Sequence, residues 1–372
     1  MKNGIFLTNV NVYEKDSLAH GIHKKILSQV EIFNIKNSMS CKLYIVPTFK
    51  SNYRILRFFL VFLNDIYYNK LYDRLSSHDF IYIRSIRPVT YNFIRVLKMI
   101  KKHNPNIKIV LEMPTFPYEG EYKALHEKCY LFVDKIFRDK LKKYVDRIAT
   151  YSSHNVILGV QTIKITNGIV CANIDVRKPR ESTQEINLIA VAIYHDWHAY
   201  DRLIEGLKNY YEQERALRVN LYFVGDGPKL NLYRNLVVKY KLSEYVNFSG
   251  ILQGESLTDV YNMADIAISS LGAHRVNLYS ISALKTREYL ARGMPMVSST
   301  KIDILPDNFK YCLYIPEDDS PINIQMIVQY YNRLLVENNI FEMTNEIRYF
   351  AESHCDMSIT MKPIINYLDL KA

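Results

Sequence analysis

An α/β fold with two doubly wound parallel-sheet domains is what this sequence predicts, on three observations. Short apolar runs alternate with amphipathic stretches along nearly the whole chain, which implies parallel strands with helices on both faces. That alternation stops once, at a polar stretch with a proline, and then restarts. The length of 372 residues suits two cores of ordinary size better than one.

In the first half, strands are expected at 4–10, 41–48, 79–85, 106–114, 147–152 and 162–168, where β-branched and aromatic residues cluster. Helices are expected at 20–33, 52–76, 90–104 and 121–144; the third gathers its cations at the C-terminal end, where the helix dipole favours them. The segment 170–183, VCANIDVRKPREST, lacks hydrophobic periodicity and reads as a linker. Strands then follow at 186–194, 219–228, 245–250, 265–270 and 296–300, and helices at 199–213, 229–241, 255–263 and 280–293. The expected division is 1–172, 173–350 and a helical tail, 351–372, returning to the first domain. In such folds ligands bind at the C-terminal ends of the strands, here in a cleft between two facing sheets.

Composition narrows the function. Hydrophobic content of 48% with 23% charge fits a chain with sizeable buried cores. The longest strongly apolar run, Phe58 to Leu63, is far short of the roughly 20 residues a membrane-spanning helix needs. Cys41, Cys129, Cys171, Cys312 and Cys355 are odd in number and form no C-x-x-C pair, which points to a reducing compartment, the cytoplasm, and to no metal. Residues 1–170 hold 27 Lys and Arg against 13 Asp and Glu, a net +14, while the remainder holds 21 against 25, a net −4. A basic half implies an anionic partner: nucleic acid, lipid headgroups or a phosphorylated substrate. No recognised nucleic-acid motif accompanies it, which leaves that class as the alternative reading.

The most informative stretch is Ser280 to Pro295, SISALKTREYLARGMP. Ser280 and Ser282 are placed to cap a helix whose first N–H groups, at Ala283 and Leu284, then point outward and attract an anion. Lys285 adds a full positive charge, and Glu288, one turn on, suits ribose hydroxyls. His195 and His198 in HDWH sit three apart without a third metal ligand, so phosphate contact is the better reading for His198. Trp197 is expected to pack, and Gly225 and Gly227 to permit a tight turn.

VGDGP (224–228), VNFSG (246–250), YNMADIAISS (261–270) and REYLARGMP (287–295) stand in order with consistent gaps, preceded by ITNGI (165–169). The series resembles the C-terminal domain of glycosyltransferase family 4, retaining sugar-nucleotide transferases of GT-B architecture. EMPTFPYEGE (112–121) looks like a segment of its polysaccharide-biosynthesis branch. The resemblance implies a nucleoside diphosphate sugar donor, UDP or GDP type, and no cofactor or metal. It implies a glycan or lipid-linked acceptor, and the basic first half makes an anionic membrane surface an expected partner. Donor contacts are then expected from Glu288, Lys285, Ser282, Ala283, Leu284, His198, Arg202, Gly250, Ile251, His274 and Arg275. Acceptor contacts are expected from Gly21, Lys24, Thr115 and Tyr118, with Lys25 as an alternative to Lys24, and catalytic work from Lys285, Glu112 and Glu121. Two departures stand out. The first glutamate of the family's E-x7-E falls on Ser280, and the Arg and Lys of its G-R-x4-K-G fall on Ile193 and His198. The aromatic and basic stretch 49–76 suits either a membrane surface or core packing.

Overall fold

The computed structural model describes residues 1–14, 20–35, 38–49, 51–68, 70–84, 86–122, 124–180, 184–213 and 217–369, without the side chains of His20, Arg54 and Glu121. Two compact units emerge. The first joins Met1–Thr166 to Thr360–Ala372, and the second is Asn167–Ile359.

The first unit is built on β1 (Lys2–Thr8), β2 (Met39–Ile45), β3 (Phe80–Arg84), β4 (Lys108–Glu112), β5 (Arg147–Thr150), β6 (Val156–Ile157) and β7 (Val160–Lys164). Their order is β2-β1-β3-β4-β5-β7-β6, all parallel except the β6–β7 hairpin. α1 (His20–Ile35), α2 (Arg54–Tyr68), α3 (Tyr72–Leu75), α4 (Tyr91–His103) and α5 (Leu125–Phe137) make the crossovers. β3 is buried along its whole length, as expected of a strand covered on both faces. The expected helix 52–76 is two, α2 and α3, with Lys70 and Leu71 in a turn before the second, and the expected 121–144 is α5 followed by the short 3-10 helix Arg138–Lys143.

The second unit carries β8 (Glu185–Ile193), α6 (Tyr200–Tyr211), β9 (Arg218–Asp226), α7 (Leu230–Lys239), β10 (Val246–Gly250), α8 (Gly254–Met263) and β11 (Ile266–Ile268). There follow β12 (Ser280–Ile281), α9 (Leu284–Ala291), β13 (Met296–Ser298), β14 (Lys301–Ile302), β15 (Cys312–Tyr314), α10 (Ile324–Glu337) and α11 (Ile340–His354). Six of its strands form a parallel sheet in the order β10-β9-β8-β11-β13-β15, and β12 pairs with β14 apart from it. The tail is helical. α12 (Met357–Thr360) ends where the chain returns to the first unit, and α13 (Lys362–Asp369) accepts from Lys2 and Lys108 there.

The boundary differs from the expected one. Residues 167–172 belong to the second unit, and the stretch expected to be a linker is pinned to that unit as far as Arg180. Arg177 is buried and donates to the Ala264 carbonyl at 2.8 Å, and Arg180 bridges Glu185 and Asp265, both at 2.8 Å. Charged residues without apolar periodicity here make a packed polar seam. The remaining linker residues, 181–183, lie outside the described residues.

Candidate functional site

The C-terminal ends of the second unit's strands gather most of the residues expected to bind a donor. β8 runs out at Ile193 into a turn tied on both sides. The Tyr194 N–H donates to the Asp226 carbonyl at 2.8 Å, and the Tyr194 carbonyl accepts from the Lys229 N–H at 3.2 Å. Gly225 and Gly227 make that approach possible. Both have positive φ, +129° and +150°, and a Cβ would lie 1.9 Å from the Ala192 carbonyl oxygen and 2.4 Å from the Tyr194 nitrogen. They permit a tight turn, as expected.

Within the 195–198 turn, the His195 N–H donates to His198 Nδ1 at 3.0 Å. An obligate backbone donor leaves Nδ1 as acceptor, so the neutral ring carries its proton on Nε2. Burial, with Lys285 and His195 beside it, holds the His198 imidazole far below its ordinary range, so it stays neutral. Trp197 stacks on His195, with ring centroids 4.3 Å apart, in a packing role.

Lys285 comes from α9. Its Nζ donates to the Tyr200 hydroxyl at 3.0 Å and lies 5.4 Å from that ring, which in turn stacks beside His198 at 5.5 Å. Burial pushes the Lys285 ammonium down from 10.5 to about 7. Among the described residues no carboxylate offsets that desolvation. Tyr200, which the sequence did not single out, is therefore what joins the two.

α9 starts differently from the expectation. Its N-cap is Ala283, without a side-chain cap, because Ser280 is in β12, paired with Lys301, and is exposed. The Ser282 hydroxyl accepts from the Asn167 N–H at 3.2 Å and from Arg287 at 3.2 Å, and its carbonyl accepts from the Asn167 amide. Arg287, fully buried, also donates to the Asn167 carbonyl at 3.1 Å and pairs with Asp303. Asn167 belongs to the ITNGI segment, so that segment's work is to anchor the start of α9. Ala283 and Leu284 remain partly exposed at the helix start, where the helix itself leaves N–H groups unsatisfied. Glu288 is partly exposed one turn on and shares its charge with Arg292 at 3.3 Å. Gly250, at φ +68° where β10 shifts register, opens onto free space, and Ile251 beyond it is exposed.

Three expected donor cations are otherwise engaged. Arg202 is buried and its guanidinium donates to the carbonyls of Ser320 (2.8 Å), Leu271 and Pro316 (3.1 Å) and to Asp318 (3.1 Å), so it ties α6 to the 316–320 loop. Arg275 clamps Asp201 with two bonds of 3.0 and 2.8 Å and Asp319 at 2.7 Å, and these hydrogen bonds hold its charge fast. His274 faces Asp319 at 3.3 Å. Their loop still borders the site, since the Leu271 and Gly272 N–H groups donate to the His198 and Trp197 carbonyls at 3.0 and 3.1 Å.

In the first unit, Glu112 is no proton acceptor for a substrate. It ends β4, in register with Arg84 at the end of β3, and is 2% exposed. Its Oε1 accepts from Arg84 and from the Tyr151 hydroxyl at 2.8 Å, with Lys25 at 3.4 Å; its Oε2 accepts from Tyr82 at 2.8 Å and Gln29 at 3.0 Å. Five donors saturate a carboxylate. Although burial opposes it, the Arg84 and Lys25 cations hold the carboxyl well below the usual range. Tyr118 is likewise withdrawn from any acceptor. It is buried, donates to Asp134 at 2.6 Å, and lies between the Arg87 and Arg138 guanidinium groups at 4.7 and 5.5 Å. Gly21, Lys24 and Thr115 are exposed, whereas Lys25 is buried in the Glu112 cluster. The Glu121 side chain lies outside the described residues.

The family model for glycosyl transferases group 1 matches residues 185–332, the sheet and loops just described. Over these residues the second unit resembles the glycosyl transferases group 1 family. No curated protein matches the chain in sequence. Solved structures of like fold include the apo lipopolysaccharide outer core galactosyltransferase WaaB, at 16% identity and TM-score 0.62, covering 100% of both chains. Sucrose-phosphate synthase from Thermosynechococcus elongatus matches at 14% identity and TM-score 0.67 over 99% of both chains. HepE from Anabaena, in complex with UDP, matches at 11% identity and TM-score 0.62 over 100% of both. At such identities they establish the fold, the GT-B pair of doubly wound units. Among the described residues no helix is long and apolar enough to cross a membrane.

Proposed function

We propose that this protein is a glycosyl transferase that moves a hexose from a nucleoside diphosphate sugar to a glycan or lipid-linked acceptor in surface polysaccharide synthesis, retaining anomeric configuration without a metal or cofactor. The observation that carries this reading is the meeting of Lys285, the neutral His198 with its Nε2–H, and the start of α9 at the C-terminal end of β8. Each is a donor or cation suited to a diphosphate, and among the described residues none has a carboxylate partner. As the glycosidic bond to the donor breaks, negative charge grows on the departing diphosphate, and donors already desolvated and oriented stabilise that charge without reorganising. Lys285 is the catalytic residue in this scheme, because an ammonium deprived of solvent gains most where an anion replaces the lost water.

Glu288 takes the ribose. The donor base is of UDP or GDP type, and the like-folded HepE structure holding UDP supports trying UDP first. The reaction is placed in the cytoplasm, on an anionic membrane surface, with the acceptor served by the first unit. The test is a thermal shift with UDP and GDP beside an oligonucleotide, followed by hydrolysis or transfer assays on a panel of sugar nucleotides with and without EDTA. A shift with one nucleoside diphosphate and turnover undiminished by EDTA are expected. A shift with the oligonucleotide alone would replace the reading with nucleic-acid binding, and nucleotide binding without turnover on any donor would make the chain a non-catalytic homologue.

A further inference from the structure

α2 has its apolar stripe on the wrong side for a helix that only packs. Val61 and Tyr68 point inward and are buried, and Asp65 reaches Asn92 at 2.9 Å at the start of α4. The opposite face carries Ile55, Phe59, Phe62 and Ile66, spaced at four, three and four residues, which at about 100° per residue keeps them in one line. α5 repeats the pattern with Leu125, Phe132 and Ile136 on one line of its own. These seven side chains are each between 50% and 75% exposed. Leu56 and Leu63 widen the α2 stripe. The helices are fixed side by side, because the Tyr130 hydroxyl donates to the Arg57 carbonyl and Phe58 meets His126 edge-on at 6.2 Å. A contiguous apolar surface of this kind is uncommon on a soluble protein without a partner.

The charges choose the partner. Every carboxylate on these two helices is spent inside the unit. Asp65 accepts from Thr90 and Asn92, Glu127 from the Ala124 N–H at 2.8 Å, and buried Asp134 from Tyr118 and from the Val89 N–H at 2.7 Å. The exposed charges are cations: Lys128 and Lys135 beside the α5 stripe, and Arg95 and Lys98 on α4, which packs against α2. Apolar rows rimmed by positive charge, with negative charge turned away, match an anionic lipid surface, whose headgroups meet the cations while the rings enter the acyl boundary. We propose that the α2–α5 face docks this chain onto anionic lipid bilayers. The proposal deepens the function above, since it supplies the surface on which a lipid-linked acceptor would be met, but the vesicle assay needs neither donor nor acceptor.

The full chain is sedimented with vesicles of phosphatidylcholine alone and of equal phosphatidylcholine and phosphatidylglycerol, at low and high salt. Binding is expected to the anionic vesicles, weakening with salt as exposed charges are screened. Phe59→Ser with Phe62→Ser should lower the partition by at least about tenfold. Lys128→Glu with Lys135→Glu should lower it and flatten its salt dependence, while Val336→Ser, an exposed apolar residue of the other unit, should leave it unchanged. Parent protein that ignores anionic vesicles at low salt, or a double serine variant that sediments like the parent, overturns the proposal. So does a concentration-dependent dimer in sedimentation velocity that the serine pair abolishes, because the face would then join two copies. The UDP thermal shift on the same variants separates the two readings. Lost sedimentation with a retained shift is the expected result for the serine pair; sedimentation without any nucleotide shift would overturn the proposed donor chemistry and leave the docking face standing.

Discussion

The two units place a polar cluster at the same point of their folds, the C-terminal ends of central parallel strands, and use it in opposite ways. In the first unit Lys25 and Arg84 are answered by Glu112, and Gln29, Tyr82 and Tyr151 complete the shell. In the second, Lys285 meets the Tyr200 hydroxyl beside a neutral histidine, with no carboxylate partner among the described residues. Desolvation acts on both. Where a counter-charge is built in, the ionised forms are held and the cluster stabilises the fold. Where it is left out, the cation is driven toward neutrality and an incoming anion can restore its charge.

The comparison breaks most sharply at Glu112. Removing it strands two buried cations, so Glu112→Ala should destabilise the protein by about 3–5 kcal/mol in urea unfolding. Because its folded pKa is depressed, the Glu112 contribution is full above the unfolded carboxylate value of about 4.3 and is lost as pH falls below it. A change under about 1 kcal/mol in that titration would show that the cluster is not a stabilising one.

Lys285→Ala should spare stability and lower kcat by about 100-fold with a smaller change in KM, the signature of charge stabilised chiefly in the transition state. Wild-type kcat with a raised KM alone would assign it to ground-state binding.

Glu288→Ala should weaken nucleoside diphosphate binding by about 1–3 kcal/mol without unfolding, read as Kd by calorimetry. An unchanged Kd removes Glu288 from the site.

The pH dependence of binding is smaller and sharpens the contrast. Burial pushes free Lys285 down from its ordinary 10.5 to about 7, and a bound diphosphate favours its charged form. Binding should therefore take up a proton above about pH 7 and weaken as pH rises. Calorimetry in buffers of different ionisation enthalpy measures that uptake, and none at pH 8 would mean the lysine does not meet the diphosphate.

The smallest effect is expected at His274. Its partner Asp319 is exposed and also held by Arg275, so His274→Ala should cost under about 1 kcal/mol in stability and leave Kd unchanged. A large loss of affinity would return this loop to the donor site.

Lys285 and Glu288 were legible in the sequence because helical spacing puts them on one end of one helix. The start of that helix was not: Ser280 and Ser282 look like caps until the pairing of Ser280 with Lys301 and the tie of Ser282 to Asn167 take them away. Likewise Arg202 and Arg275 read as free cations, since nothing local reveals that carbonyls and carboxylates of 316–320 surround them.

What the chain determined by itself was therefore what depends on near neighbours: the alternation that makes parallel sheets, the glycines at 225 and 227, and the ordered loops of the second unit. Strand and helix periodicity act over a few residues and survive any change of partner. The tertiary structure alone decided which charges are paired. Whether Glu112 is a base or a buried counter-ion depends on Lys25, 87 residues away, and on Arg84, Tyr82 and Tyr151. Electrostatics in a desolvated site is set by distance in space, and only the fold supplies those distances.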